Sequence, residues 1–202
     1  MVQFEKAVER YGKLILNELK TAGVKCWIAG GSLRDYFSGI NEETDYDIFF
    51  PNGMELEKAL KHFQQMEAVT KWDSDNGTKL VYRGKTFDLV KKFFDGPQAT
   101  IDAFDFTVSM FAVDFEKVYH GESSFIDLAK KQLMINKITY PASTMQRAFR
   151  YYKKGFSMCA GEMRKMVEAI QEMPKPEISE PLVKVNEDEV TSGEFGFFAG
   201  ID

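Results

Sequence analysis

The 202-residue chain is long enough to bury one substantial core, or one domain with a small helical appendage, and its 44% hydrophobic and 14% aromatic content excludes bulk disorder. No apolar run approaches the roughly 18 residues of a membrane span and no charged-then-apolar leader is visible, so a cytoplasmic protein with no membrane association is expected. The net charge of −5 conceals a segregation: residues 130–166 carry nine Lys and Arg against one acid, a block of about +8, whereas residues 173–202 carry two Lys against seven acids. Such a basic block suits a polyphosphate or a nucleic acid, and equally a solvated helical face or a dock for the chain's own acidic segment.

In chain order, Phe4, Val8, Tyr11, Ile15 and Leu19 recur at three- and four-residue steps, which predicts an amphipathic helix over 2–22 that Gly23 ends. VKCWIA (24–29) reads as a short buried strand, GGSLRDYFSG as a turn running into a short helix, and DYDIFF (45–50) as a second strand stopped by Pro51. Residues 53–68 are helical by the spacing of Met54, Leu56, Leu60 and Phe63. VTKW, TKLVYR and TFDLVKKF then read as successive antiparallel strands, joined by the turn DSDNG and by a two-residue turn at Gly84–Lys85. Further elements are a helix over 98–112, a short strand at 116–119, a helical turn at 124–131, and one or two helices over 142–172 broken near Gly155 or Gly161.

From Met173 onward the composition changes to Pro174, Pro176 and Pro181, the acidic NEDEV and then GEFGFFAGID, which reads as an extended tail. Phe195, Phe197 and Phe198 either dock on the protein's own body or form a peptide motif for a protein partner. Cys26 and Cys159 are too few for a disulfide framework and lack the spacing of a metal site, so both are expected as reduced thiols. His62 and His120 have no partner at ligand spacing. DSDNG begins like a calcium loop but lacks its closing glutamate and is better read as a hairpin turn.

The stretch IAGGSLRDYFSGINEETDYDIFF (28–50) carries the chemistry. Residues two apart in a strand share a face, so Asp45 and Asp47 would project side by side, and two carboxylates so close call for a cation between them. A hard divalent ion, Mg²⁺ or Mn²⁺, suits them; the plainer reading is one turn-capping Asp and one solvated. Gly30 and Gly31 between a strand and a helix let backbone N–H groups approach an anion, and Ser32 adds a hydroxyl at the helix's positive end. A phosphate cradle beside metal-holding carboxylates is what nucleotidyl transfer requires.

An apolar residue, Gly-Gly, thirteen residues (Ser32 to Thr44) and then Asp-x-Asp in a strand resembles the nucleotidyltransferase superfamily of DNA polymerase beta. GGSLRD is similar to the GGxxRD signature in the head domain of CCA-adding enzymes and bacterial poly(A) polymerases. DAFDFTVSMFAVD (102–114) resembles that family's RRDFTINALAYD segment, SSFIDLAKKQLMI its next segment, and MQRAFRYYKKGF (145–156) its LRALRFAARFGF helix, in order over about residues 24–156. The chain departs at Ala103 and Phe104, where the family has an arginine pair, and it shows no later EDxxR motif to read a base.

The resemblance implies catalytic and metal-binding roles for Asp45, Asp47 and Asp88, with Asp88 helping to activate the acceptor's hydroxyl. It implies nucleotide binding by Gly30, Gly31 and Ser32 at the β- and γ-phosphates and by Asp105 at the ribose. Arg34 would reach a phosphate or pair with Asp35 or another carboxylate. Arg147 and Arg150, three apart on one helical face, would neutralise the triphosphate or line a surface. The expected fold is α+β: a mixed or antiparallel nucleotidyltransferase sheet flanked by helices over 1–140, a helical segment over 141–172 and an acidic, Pro- and Phe-containing tail over 173–202. The expected activity is Mg²⁺- or Mn²⁺-dependent transfer of a nucleoside monophosphate from a nucleoside triphosphate to a hydroxyl, with the +8 segment tilting the acceptor towards a tRNA-like RNA. The alternative is a diverged module of the same fold that binds nucleotide, RNA or a protein partner without turnover.

Overall fold

A computed structural model describes residues 2–40 and 45–173. The expected tail and its Phe195, Phe197 and Phe198 therefore lie outside the described residues, as do Asn41 to Thr44.

The N-terminal stripe forms one helical rod, α1 (Val2–Tyr11), a wider turn over Gly12–Leu16, and α2 (Asn17–Thr21). Ala7, Tyr11, Ile15, Leu16 and Leu19 are its buried side. Gly23 ends the rod at φ +73°, donating to Lys20 O while Val24 N donates to Leu19 O, the pair of reverse bonds that needs a left-handed residue at this place. The chain continues through β1 (Trp27–Ala29), α3 (Gly31–Phe37), β2 (Tyr46–Phe49) and α4 (Gly53–Gln65). Asn52 caps α4 by accepting from Glu55 N at 3.1 Å.

Three strands follow, β3 (Val69–Asp73), β4 (Gly77–Tyr82) and β5 (Lys85–Val90). They pair antiparallel in sequence, as expected, but the second turn is Arg83–Gly84, one residue earlier than the spacing suggested. Tyr82 pairs with Lys85, and both turn residues have positive φ, +49° and +72°, the backbone twist that suits a two-residue hairpin.

The helix expected over 98–112 is confined to α5 (Pro97–Asp102). After a single tight turn at Thr107–Ser109 the chain enters β6 (Phe111–Val113), whose three residues are all buried between neighbouring strands. A wholly apolar triplet reads alike in a helix and in a central strand, and burial in the sheet decides it here. Next come β7 (Val118–His120), α6 (Ser124–Ala129), α7 (Pro141–Lys153) and α8 (Ala160–Gln171). The break between the last two helices begins at Gly155, φ +84°.

The seven strands form one sheet in the order β3-β4-β5-β2-β1-β6-β7, with β2 and β5 parallel and every other pair antiparallel. The fold is thus α+β with a mixed sheet. Alternation along the strands divides the core. Ile28, Ile48, Phe87, Leu89, Phe111 and Val113 face the N-terminal rod and α4. Trp27, Ala29, Phe49, Val90 and Ala112 face the other way and pack with Ile101 and Phe104 around α5, which Trp27 Nε1 anchors by donating to Thr100 Oγ1 at 2.9 Å. The second, less covered face holds the site. Among the described residues no helix is long and apolar enough to cross a membrane.

Candidate active site

Register places Lys79 of β4 opposite Asp88 of β5, Asp88 beside Asp47 of β2, Asp47 opposite Ala29 of β1, and Ala29 opposite Ala112 of β6. Paired residues share a face, so one row across five strands reads Lys, Asp, Asp, Ala, Ala. The two alanines put nothing longer than a methyl beside the carboxylates and are themselves fully buried in the second core cluster. Asp45, two residues before Asp47, joins the group through Lys79, whose Nζ lies 2.8 Å from Asp45 Oδ2 and 3.4 Å from Asp88 Oδ2.

The charges in this row are incompletely matched. Asp88 Oδ1 is buried without a hydrogen-bond partner. Burial, with repulsion from Asp45, pushes the Asp88 carboxyl above the ordinary aspartate value despite Lys79 beside it. Burial also disfavours the Lys79 ammonium, but Asp45 and Asp88 together outweigh it and raise that pKa. Lys79 is therefore a firm cation between two acids.

Among the described residues no three acid, histidine or cysteine side chains stand together as a ready metal cluster. The donors are nonetheless the hard oxygens that Mg²⁺ and Mn²⁺ take, and Asp88 Oδ1 is an orphaned buried acceptor facing the same row. Asp45, Asp47 and Asp88 are thus the residues whose donor chemistry suits a divalent ion.

The glycine turn lies next to this row, because Ala29, the register partner of Asp47, immediately precedes it. Gly30 has φ +88° and ψ −134°, a conformation that penalises a Cβ. Its N–H is committed to Phe111 O at 2.9 Å and its carbonyl accepts from Arg34 N, so Gly30 welds β6 to the start of α3 and has no N–H to offer a phosphate. The opening N–H groups are those of Gly31, Ser32 and Leu33, which have no acceptor within the helix. The Ser32 hydroxyl points inward: the residue is 4% exposed, beside the buried Tyr11 phenol, and Oγ meets no partner in hydrogen-bond geometry.

The remaining expected nucleotide ligands are engaged elsewhere. Arg34, 2% exposed, donates from Nε and Nη2 to the two Asp35 carboxylate oxygens at 2.8 and 3.0 Å and from Nη1 to the Tyr151 hydroxyl at 2.9 Å. Tyr151 also bonds the Ser109 hydroxyl, so this network ties α3 to α7. Of the two alternatives for Arg34, the structure shows the Asp35 pairing. Asp105 and Arg147, expected at the ribose and the triphosphate, pair with each other: Asp105 Oδ2 accepts from Arg147 Nε at 2.7 Å, from Arg147 Nη2 and from Thr144 Oγ1 at 2.8 Å. Arg150, one turn on, is exposed.

Sequence reasoning did not find Lys79 or Tyr151. Tyr151 carries no local signal. Lys79 could have been found, because correct placement of the Arg83–Gly84 turn sets it opposite Asp88.

The comparisons with solved structures bear on the fold. The chain shares the nucleotidyltransferase fold with solved CCA-adding enzymes: one in complex with ATP (TM-score 0.62, 17% identity, 83% of this chain and 43% of that one), one from Bacillus stearothermophilus in complex with CTP (0.59, 16%, 83% and 43%), and one from Thermotoga maritima complexed with tRNA (0.53, 19%, 73% and 38%). The chain spans less than half the length of each. No curated protein matches its sequence. The model of the Gabija anti-defense 2 family matches residues 3–131, and the chain belongs to that family. The matched region contains the whole Lys79, Asp88, Asp47 row and stops before α7.

Proposed function

We propose that the protein is a metal-dependent nucleotidyltransferase that moves a nucleoside monophosphate from a nucleoside triphosphate to a hydroxyl, with RNA as acceptor, and releases pyrophosphate. The observation that carries this reading is the juxtaposition of Asp47 and Asp88 on parallel neighbouring strands, with Asp45 in reach of the same ammonium. Asp45, Asp47 and Asp88 would hold Mg²⁺ or Mn²⁺, which when bound neutralises triphosphate charge and makes the acceptor hydroxyl more acidic. The N–H groups of Gly31, Ser32 and Leu33 present positive dipole ends to the phosphates. Asp88, beside Asp47 in the row, takes the hydroxyl proton. The freed oxygen bonds to the α-phosphorus, the α–β bridging bond breaks, and pyrophosphate leaves with that electron pair. Asp105, Arg147 and Arg34 hold α3 and α7 in place and are outside the reaction in this reading.

A second reading, a nucleotidyltransferase fold that binds nucleotide, RNA or a protein partner without turnover, is favoured by one observation: an ammonium lies where the cation should be. Fold alone does not guarantee activity. The family description supports a role against Gabija defence under either reading and adds components of that system to the acceptors worth testing.

The test is transfer of label from each of the four nucleoside triphosphates to total RNA, with and without Mg²⁺, by the unmodified protein and by Asp45→Ala/Asp47→Ala. Label on RNA with the unmodified protein only is expected. Equal labelling by the two proteins would remove the carboxylates from the chemistry, and metal-independent triphosphate binding in calorimetry without transfer would favour the second reading.

A further inference from the structure

Lys79 differs from the other buried or half-buried cations in how it is held. The Arg34 and Arg147 forks each bond a carboxylate through two nitrogens, Asp35 and Asp105 respectively. Lys79 instead stretches one ammonium between two carboxylates, at 2.8 and 3.4 Å, and leaves Asp88 Oδ1 without a partner. Its side chain is 34% exposed, and the neighbouring edge strand β3 is exposed along its whole length, so the stem has open solvent to swing into. A lysine ammonium is a compact charge on a flexible four-carbon stem, suited to leaving a site as an arginine fork is not.

In the metal-dependent reading, Asp45 and Asp88, which Lys79 now holds, would hold the divalent ion. A +1 and a +2 charge within a few ångströms of the same carboxylates repel each other, and both cannot take the same oxygens. The geometry points to Lys79 as a built-in counter-ion that occupies the carboxylate site and must be displaced before a divalent cation can enter. Metal uptake is then an exchange of an internal cation for an external one. Lys79 also relieves carboxylate repulsion in the metal-free protein, which keeps the row folded without metal. This inference rests on the metal-dependent reading above.

The test uses the metal alone. Mn²⁺ binding to the full chain would be followed by the loss of its free electron-spin signal and by calorimetry, for the unmodified protein, Lys79→Met, Lys79→Gln and Lys79→Arg, with melting temperatures in parallel. Lys79→Met and Lys79→Gln should bind Mn²⁺ at least about tenfold more tightly, since a repelling charge at contact distance is gone. Both should melt lower than the unmodified protein without metal and gain more from added Mn²⁺. Lys79→Arg should bind Mn²⁺ no more tightly than the unmodified protein. Two neutral variants keep the test decisive should one of them fail to fold. Equal or weaker Mn²⁺ binding by the neutral variants than by the unmodified protein would overturn the exchange while leaving the metal site in place. No Mn²⁺ binding by any variant would overturn both the exchange and the metal-dependent reading.

Discussion

The carboxylate of Asp105 receives three donors from α7, whereas that of Asp88 meets a single ammonium on one oxygen and has no hydrogen-bond partner on the other. Asp88 lies in β5 and Asp105 in the loop after α5, and the family resemblance assigned both to the nucleotide site. The difference lies in how completely their charge is answered. Arg147, with its side chain 11% exposed against 9% for Asp105, gives that acid a closed partner, and the pair holds α7 to the body. Lys79 reaches one Asp88 oxygen and leaves the other without a hydrogen-bond partner. A fold gains nothing from leaving a buried carboxylate oxygen unpartnered, and Asp88 Oδ1 is such an oxygen.

The largest expected effect separates these two places. Asp47→Ala should abolish nucleotide transfer, because it removes a metal ligand, at a smaller cost in melting temperature than Arg147→Met. Arg147→Met should do the reverse. Breaking a buried ion pair from one side costs about 3–5 kcal/mol, read as a lower denaturant midpoint, with transfer retained under conditions where the variant is folded. An Arg147→Met protein of undiminished stability that no longer transfers label would erase the distinction and return Arg147 to the nucleotide.

A smaller effect is expected at the glycine turn. Gly30→Ala places a Cβ on a residue at φ +88° and should cost about 1–2 kcal/mol of stability. Because Gly30 also carries the bond to Phe111 O that sets α3 beside the row, transfer should fall together with stability in this variant.

The smallest effect is expected on the opposite face, at a groove of about 660 Å³ lined by Glu18, Lys58, Lys61, His62 and Arg83. Glu18 accepts from His62 Nε2, the Tyr82 hydroxyl and Arg83 Nη1, each at 2.9 Å. Burial works against its charge, but these partners prevail and hold its pKa below the ordinary 4.5. A lowered carboxylate stabilises the fold above 4.5, and that contribution disappears as pH falls through the lowered value. Glu18→Gln should therefore trail the unmodified protein by about 1 kcal/mol or less at pH 6 and converge with it on acidification, measured as melting temperature against pH.

The parts of the fold that were legible in the sequence are those with a strong local period. The Tyr11, Ile15 and Leu19 stripe, the Gly23 stop, and the alternation that puts Phe87 and Leu89 on one face and Asp88 on the other are all present in the structure. The hairpin register was not legible to the residue. A turn at Gly84–Lys85 would set Val81 opposite Asp88, while the turn at Arg83–Gly84 sets Lys79 there. That one-residue shift hid the cation in the site. The spacing of Phe104, Val108, Phe111 and Ala112 suits a helix, and only the sheet around it makes Phe111–Val113 a strand. The Asp105–Arg147 and Arg34–Tyr151 bonds join residues 42 and 117 positions apart. No local pattern reports such contacts.

The division between chemical row and structural brace is tested most directly by assaying label transfer and melting temperature in the same preparations of the unmodified protein, Asp47→Ala and Arg147→Met. The account predicts opposite outcomes: Asp47→Ala transfers no label and melts above Arg147→Met, while Arg147→Met melts lowest and still transfers. Transfer by Asp47→Ala at the unmodified rate would contradict it.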